Sequence, residues 1–493
     1  MANLKSLAKE TAIYGLSSIV GRFLNYLLVP LYTAKLSAES GGYGVITNMY
    51  AYVALLLILL TYGMETTFFR FSNKEGEDPK RVYSTILMAI AGTSTLFVLM
   101  VLLFISPISS ALGYADHPSY VWVMAITVAL DAFQCIPFSW LRQNKRPIKF
   151  AALKLLFIIL NISLNLIFFV VIPHFSGKPT EVGYAFYINL ACTASITFCF
   201  WRELTGIKYV FDKALFRRML SYSWPILILG IAGILNQTAD KILFPYIYKG
   251  ENAHEQLGIY GAASKIAMIM AMIMQAFRYA YEPFVFGKAK DKDNRDTYAQ
   301  AMKYFIIFTL LAFLVVVGYI DLLKYIIAPD YWSGLQVVPI VMAAEIMMGI
   351  YFNLSFWYKL TDRTIWGAWF SGTGCLVLVL GNVLFVPQYG FMACAWSGVA
   401  GYGTAMLLSY FVGQRYYPIN YPLRDIAWYL VLAAISYHFM EKYDSLLLNT
   451  AVIAFFVSYV LHKDLPPSSL PVIGKYFRTS PSPSQGGEKD EGA

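Results

Sequence analysis

Long runs of apolar residues, each closed by a short polar or charged stretch, recur from one end of the chain to the other. They fall at roughly 11–35, 44–69, 83–106, 119–141, 149–173, 183–201, 219–245, 257–284, 299–327, 335–358, 365–386, 390–413, 424–440 and 446–462. A helix of that length crosses a hydrocarbon layer of about 30 Å, with tilt to spare in the longer runs. A water-soluble core would break such runs with polar faces every few residues. The pattern predicts an all-α polytopic membrane protein of about fourteen transmembrane helices. The run from Thr11 to Leu36 is too long for a signal-peptide core and lacks an A-x-A site, so it is expected to remain as the first helix.

Composition agrees: 58% of the 493 residues are hydrophobic and 14% charged, where a soluble chain carries charge at about a quarter of its positions. The net charge of +9 does not point to nucleic acid, because the basic residues collect in alternate loops rather than on one face. One set of loops holds Arg70, Lys74, Lys80 and Arg81, then Arg142, Lys145, Arg146 and Lys149, and so on to Lys463 and the tail. The other set holds only Lys35, Lys178, Lys249, Lys324 and Lys442. By the positive-inside rule both termini are cytoplasmic and the number of spans is even. Five cysteines (Cys135, Cys192, Cys199, Cys375, Cys394) lie inside apolar runs without a CxxC pair, and read as small buried hydrophobes. The five histidines are scattered, so no metal or other cofactor is expected.

A second level of order is an internal repeat. Shifting the sequence by 215 residues sets Gly15 on Gly230, Asn25 on Asp240 and Pro30 on Pro245; a shift of 217 sets Tyr43-Gly44 on Tyr260-Gly261, Glu65 on Glu282 and Trp140 on Trp357. Six helices separate equivalent positions, which predicts two parallel six-helix repeats related by an axis along the membrane normal, plus two extra C-terminal helices. The expected parts are an N-lobe over 1–203, a cytoplasmic linker over 204–218, a C-lobe over 219–414, two further helices over 415–462 and a disordered, Pro- and Ser-rich cytoplasmic tail over 463–493.

The loops are too short for a catalytic domain, so the polar residues within the spans carry the functional signal and the chain reads as a transporter rather than an enzyme. An ionisable group at bilayer depth is expensive unless it faces a wet or paired interior. Ser18, Arg22 and Asn25 share one face of helix 1, with Arg22 near mid-span. Helix 7 carries Asn236, Gln237, Asp240 and Lys241, and helix 8 carries Lys265 and a stripe of Gln275, Arg278 and Glu282. Arg22, Arg278, Lys265 and Lys241 are the candidate substrate-binding cations, lined by Ser18, Asn25, Asn236, Gln237, Asp240 and Gln275. An excess of fixed cation in a low-dielectric cavity suits an anion, and the arginine fork suits phosphate oxygens. Glu65, Glu282, Asp131 and Glu345 are candidates for gating or ion coupling, with packing as the alternative. Lys154, Asn161 and Asn165 form a stripe on helix 5; Lys154 and Lys241 lie within about a turn of an interface, where snorkelling is the competing explanation.

The opening Leu7-Ala8-Lys9-Glu10-Thr11-Ala12-Ile13-Tyr14-Gly15, then Val29-Pro30-Leu31-Tyr32 and Tyr43-Gly44, together with the repeat and the helix count, resembles the Wzx-type polysaccharide flippases of the multidrug/oligosaccharidyl-lipid/polysaccharide (MOP) exporter superfamily. The resemblance covers residues 1–462 and implies a MOP/MATE-like fold. It further implies that an undecaprenyl-diphosphate-linked oligosaccharide is flipped from the cytoplasmic to the outer leaflet of a bacterial inner membrane, by alternating access, for surface polysaccharide such as lipopolysaccharide O-antigen. The expected partners are that lipid-linked oligosaccharide, the membrane lipids and other polysaccharide-assembly membrane proteins. Cationic residues on helices 1 and 8 of such flippases line the cavity, which maps onto Arg22 and Arg278. Two alternatives stand beside it: a cation-coupled drug or small-molecule antiporter of the same superfamily, whose cavity would favour acidic groups, and a membrane-embedded polysaccharide polymerase, which would need a larger outer loop than any present.

Overall fold

The computed structural model describes residues 26–177, 179–288, 294–361, 363–443 and 445–464, without the side chains of 279, 280, 282–284, 286–288 and 294. Among the described residues there are helices and connecting turns but no strands. Every predicted run contains a helix: α1 Leu28–Lys35, α2 Gly42–Ser72, α3 Pro79–Leu103, α4 Pro118–Gln143, α5 Pro147–Ser176, α6 Gly183–Cys199, α7 Lys213–Ile247, α8 Ala253–Lys288, α9 Asn294–Gly318, α10 Pro329–Leu360, α11 Ile365–Tyr389, α12 Phe391–Tyr416, α13 Leu423–Tyr443 and α14 Leu446–Lys463. Eleven of these are long and apolar enough to cross a membrane, against the fourteen spans predicted. The three that fall short are α1, of which 8 residues are described, α6, which has 17 residues, and α13, diluted by Tyr429, Ser436, Tyr437 and His438. Large apolar side chains such as Leu96, Leu103, Phe198, Trp369 and Phe411 face outward from the bundle, which water would penalise and lipid does not.

The described residues form two compact units, one within 1–298 and 322–420 and one within 299–321 and 421–493. In the first, α3 and α6 flank α4, α5 packs on α6, and α2 lies against α4. α10, α11 and α12 form a second cluster with α7 and α8. α2 joins the two clusters, because it packs along both α7 and α8.

The ends of the helices that carry the basic loops are tied by charge. Asp78 caps α3 through the Lys80 amide at 3.0 Å, and Asp212 caps α7 through the Leu215 amide at 3.0 Å while taking Arg81 at 2.7 Å. The Leu215 N–H, with Arg81 adding to it, holds the Asp212 carboxyl below the usual carboxylate range. Beyond α6, Glu203 is buried and receives Lys149 of α5 at 2.7 Å, with Arg146 at 3.8 Å.

In the second unit, Lys303 of α9 bridges Asp425 of α13 at 3.2 Å and Asp464, just past α14, at 2.5 Å. Lys463 also reaches Asp425, at 3.0 Å, and the Tyr429 hydroxyl donates to Asp464. At the other end of the unit, Asn449 of α14 donates to the Gly318 carbonyl at 2.8 Å. This packing takes α9 out of the numerical order of the helices and sets it with the last two. Of the tail predicted to be disordered over 463–493, Lys463 ends α14 and Asp464 holds Lys303, and the residues after them lie outside the described ones.

Candidate functional site

α2 is not one continuous helix. Tyr62 and Gly63 adopt left-handed backbone (φ +33° and +73°), ending the helix at Thr61 and restarting it at Met64. Tyrosine seldom occupies that region, and the break lies directly before Glu65. Glu65 accepts from Arg142 of α4 at 2.9 Å, with both side chains close to half exposed.

Glu65 and Arg142 stand at one end of a cavity of about 930 Å³ enclosed by α1, α2, α4, α5, α6, α7 and α8. Deeper on the α4–α6 wall are Asp131, which accepts from Thr193 at 3.2 Å, and Lys154, whose ammonium lies 4.1 Å from the Phe138 ring centroid. Asn161, Asn189 and Gln134 complete the polar part of this wall. Gln134 spends its amide N–H donors on the Thr193 carbonyl and Thr197 hydroxyl, each at 2.7 Å. On the α7–α8 wall stand Gln237, Thr238, Lys241 and Lys265. Lys241 is held from behind by Asp240, at 2.8 and 3.0 Å, and donates to the Gln237 carbonyl at 3.1 Å. Asp240 in turn accepts from the Tyr260 hydroxyl at 2.7 Å. Lys265 has no carboxylate within ion-pair distance among the described residues, and Lys241 is the charge that acts on it.

At the end of the cavity away from Arg142 the described helices pack closely. Tyr32 and Tyr43 are buried there, and Tyr43 packs edge-on against Tyr331. Beyond them α2 and α8 cross at backbone contact: a Cβ on Gly44 would strike the His254 carbonyl, and one on Gly258 would stand 2.9 Å from the Gly44 nitrogen. Only glycine permits that approach. Asn48 next to the crossing donates to the Lys241 carbonyl at 2.7 Å and accepts from Tyr114 at 2.7 Å, while Tyr331 donates to the Leu36 carbonyl at 2.7 Å.

The structure therefore brings Lys241, Lys265, Gln237, Asp131 and Glu65 to one cavity. Asp240 lies behind that wall as the partner of Lys241. Asn236 is buried elsewhere, its side-chain amide donating to the Ser371 carbonyl at 3.2 Å while its backbone carbonyl accepts from the Tyr402 hydroxyl at 2.9 Å. Glu345 is half-buried on α10, where Lys241 is the charge that acts on it. Gln275 is half-buried and Arg278 exposed nearer the basic end of α8, with the Arg278 guanidinium 4.6 Å from the Phe352 ring centroid; neither is among the cavity residues above. Ser18, Arg22, Asn25 and the Glu282 side chain lie outside the described residues. Lys154, for which the sequence left snorkelling open, points into the cavity, as does Lys241. Arg142 was legible only as a loop cation, and its pairing with Glu65 depends on the break in α2. Of the cysteines, Cys192, Cys375 and Cys394 are buried as expected, but Cys135 lines the cavity and Cys199 is exposed.

Membrane-crossing helices around a cavity lined by charged residues define the class: this is a multi-pass membrane protein with a transporter fold. Its sequence matches the polysaccharide biosynthesis protein family over residues 7–281, and the chain belongs to that family. Solved structures share the fold. A lipid II flippase MurJ in an inward closed conformation superposes with a TM-score of 0.72 at 16% identity, over 91% of this chain and 98% of that one. A multidrug resistance MATE family transporter of the MOP superfamily in an inward-facing conformation gives 0.64 at 14% identity, over 80% and 93%. An outward-facing conformation of such a transporter gives 0.57 at 15%, over 83% and 95%. No curated protein matches the chain significantly in sequence.

Proposed function

We propose that this protein flips an oligosaccharide linked to undecaprenyl diphosphate from the cytoplasmic to the outer leaflet of a bacterial inner membrane, by alternating access of the cavity. The observation that carries the reading is Lys265: an ammonium within the membrane spans, facing a cavity of about 930 Å³, with no carboxylate partner among the described residues. Such a charge is expensive to keep unless an anion visits it. Lys241 stands on the same wall, and a diphosphate offers two linked anionic groups to the pair. Membership of the polysaccharide biosynthesis protein family and the fold shared with a lipid II flippase support a lipid-linked glycan as the cargo. In this reading Arg22 and Arg278 guide the diphosphate on helices 1 and 8, and the basic loops and both termini face the cytoplasm.

The test is Lys265→Ala in a strain lacking the chromosomal copy. The expected result is normal protein in the membrane, loss of surface glycan, and lipid-linked oligosaccharide accumulating on the cytoplasmic leaflet; Lys265→Arg, which keeps the charge, should retain part of the export. Normal export by Lys265→Ala would overturn the anion cavity.

A further inference from the structure

The two walls of the cavity differ in charge, and the difference assigns them different parts of the cargo. On the α7–α8 wall the charged groups facing the cavity among the described residues are Lys241 and Lys265, both positive, with the Asp240 counter-ion set behind Lys241. On the opposite wall Arg142, Glu65, Lys154 and Asp131 alternate in sign, and their formal charges cancel. Arg142 is bound to Glu65 at 2.9 Å, and Lys154 lies within electrostatic reach of both Glu65 and Asp131. A diphosphate laid on this second wall would meet two carboxylates at close range and be repelled, whereas on the first it meets cations only. A neutral, hydroxyl-rich molecule has the opposite preference. Carboxylates accept its hydroxyl protons, ammonium and amide groups donate to its oxygens, and aromatic rings such as Phe138 and Phe157 offer apolar faces between them.

We infer that the α4–α6 wall, through Asp131 and Lys154, reads the sugar residues of the cargo, while the Lys241–Lys265 wall holds the lipid diphosphate whatever glycan it carries. Asn189 and the free carbonyl oxygen of Gln134 extend the same surface. Selectivity among glycans then resides on α4–α6, and the close hold on the diphosphate on α7–α8. This rests on the flippase reading above, and the experiment separates the two.

The purified full-length protein is titrated with a bare prenyl diphosphate and with a panel of prenyl diphosphates bearing different mono- and disaccharides. For the wild type, affinity is expected to vary at least tenfold across the panel. Asp131→Asn and Lys154→Met should bind the bare prenyl diphosphate within about twofold of wild type while the spread across the panel collapses. Asn189→Ala, which changes no charge, should reorder the panel and serves if the charge variants fail to fold. Lys265→Ala should weaken every probe by about tenfold, the loss of one charge-assisted contact of about 1.4 kcal/mol, with the ranking kept. An unchanged ranking in all three α4–α6 variants, equal binding of every sugar by the wild type, or a reordering caused by Lys265→Ala would each overturn the wall assignment. Failure of the wild type to bind any prenyl diphosphate would overturn the flippase reading and the inference with it.

Discussion

At the residue scale, the buried charges show how unequal the two ends of an ion pair are. Glu203 has 3% of its side chain exposed, whereas Lys149 keeps 31%. Removing Lys149 strands a buried carboxylate with only Arg146 at 3.8 Å. Removing the charge of Glu203 leaves an ammonium that can turn toward water. Lys149→Met should therefore lower stability by about 1–3 kcal/mol, and Glu203→Gln by less. Thermal melts of the detergent-solubilised protein would test the order, and a lower midpoint for Glu203→Gln than for Lys149→Met would refute it. The same asymmetry explains why Lys154 was ambiguous in the sequence. Spacing placed it near an interface, where a long side chain can snorkel; only the packing of α5 beside α4 turns it inward, over Phe138.

At the scale of elements, the helices were legible and their breaks were not. Apolar runs and loop charges locate each span to within several residues, because lipid demands about twenty apolar residues per crossing whatever the tertiary packing. The break at Tyr62–Gly63 and the start of α7 at Lys213 have local traces, in Gly63 and in the Asp212 cap, that apolar runs do not weigh, and the π-helical turn at Ile167–Val171 has none. The candidate site was half legible for the same reason: polar residues at depth pointed to Lys241, Lys265 and Asp131, but which of them share a cavity depends on helix rotation. The Gly44–Gly258 crossing had a trace in the sequence, since Tyr43-Gly44 repeats as Tyr260-Gly261, yet the contact itself is between α2 and the turn before that repeat. If alternating access opens this end, the crossing must part. Gly44→Ala or Gly258→Ala forces two backbones apart, which costs about 1–3 kcal/mol in the closely packed form and shifts the closed-to-open ratio by about fivefold or more. Cys135 reports it from inside the cavity. With Cys199 replaced by serine, an impermeant maleimide applied from the Lys35 face should label Cys135 slowly in the wild type and several-fold faster in either glycine variant. Equal rates would mean that the crossing is not the gate.

At the scale of the whole molecule, the order of helices along the chain and their grouping in space disagree at α9. The repeat expected from the sequence would make α9 the third helix of its second half, and α9 forms a compact unit with α13 and α14. The tie is chemical as well as steric. The Lys303 side chain is 12% exposed and relies on Asp425 and Asp464, both contributed by the last two helices. The Asn449 amide satisfies the Gly318 carbonyl where α9 ends. Ending the chain after Asn420 would leave Lys303 without either carboxylate, and an unpaired ammonium at that exposure is destabilising. The truncated protein should accumulate poorly in the membrane, and the cause should be local to α9 rather than a defect of α10 to α12. Co-expressing residues 421–493 as a separate chain supplies both carboxylates and should restore much of the accumulation, because the partners of α9 then return without covalent connection. The same fragment with Asp425→Asn and Asp464→Asn keeps its apolar surface and loses the charges, so it should rescue far less. Quantitative immunoblots of membrane fractions decide between these outcomes: full accumulation of the truncated chain, or equal rescue by both fragments, would show that the charged clasp is not what holds α9 in place.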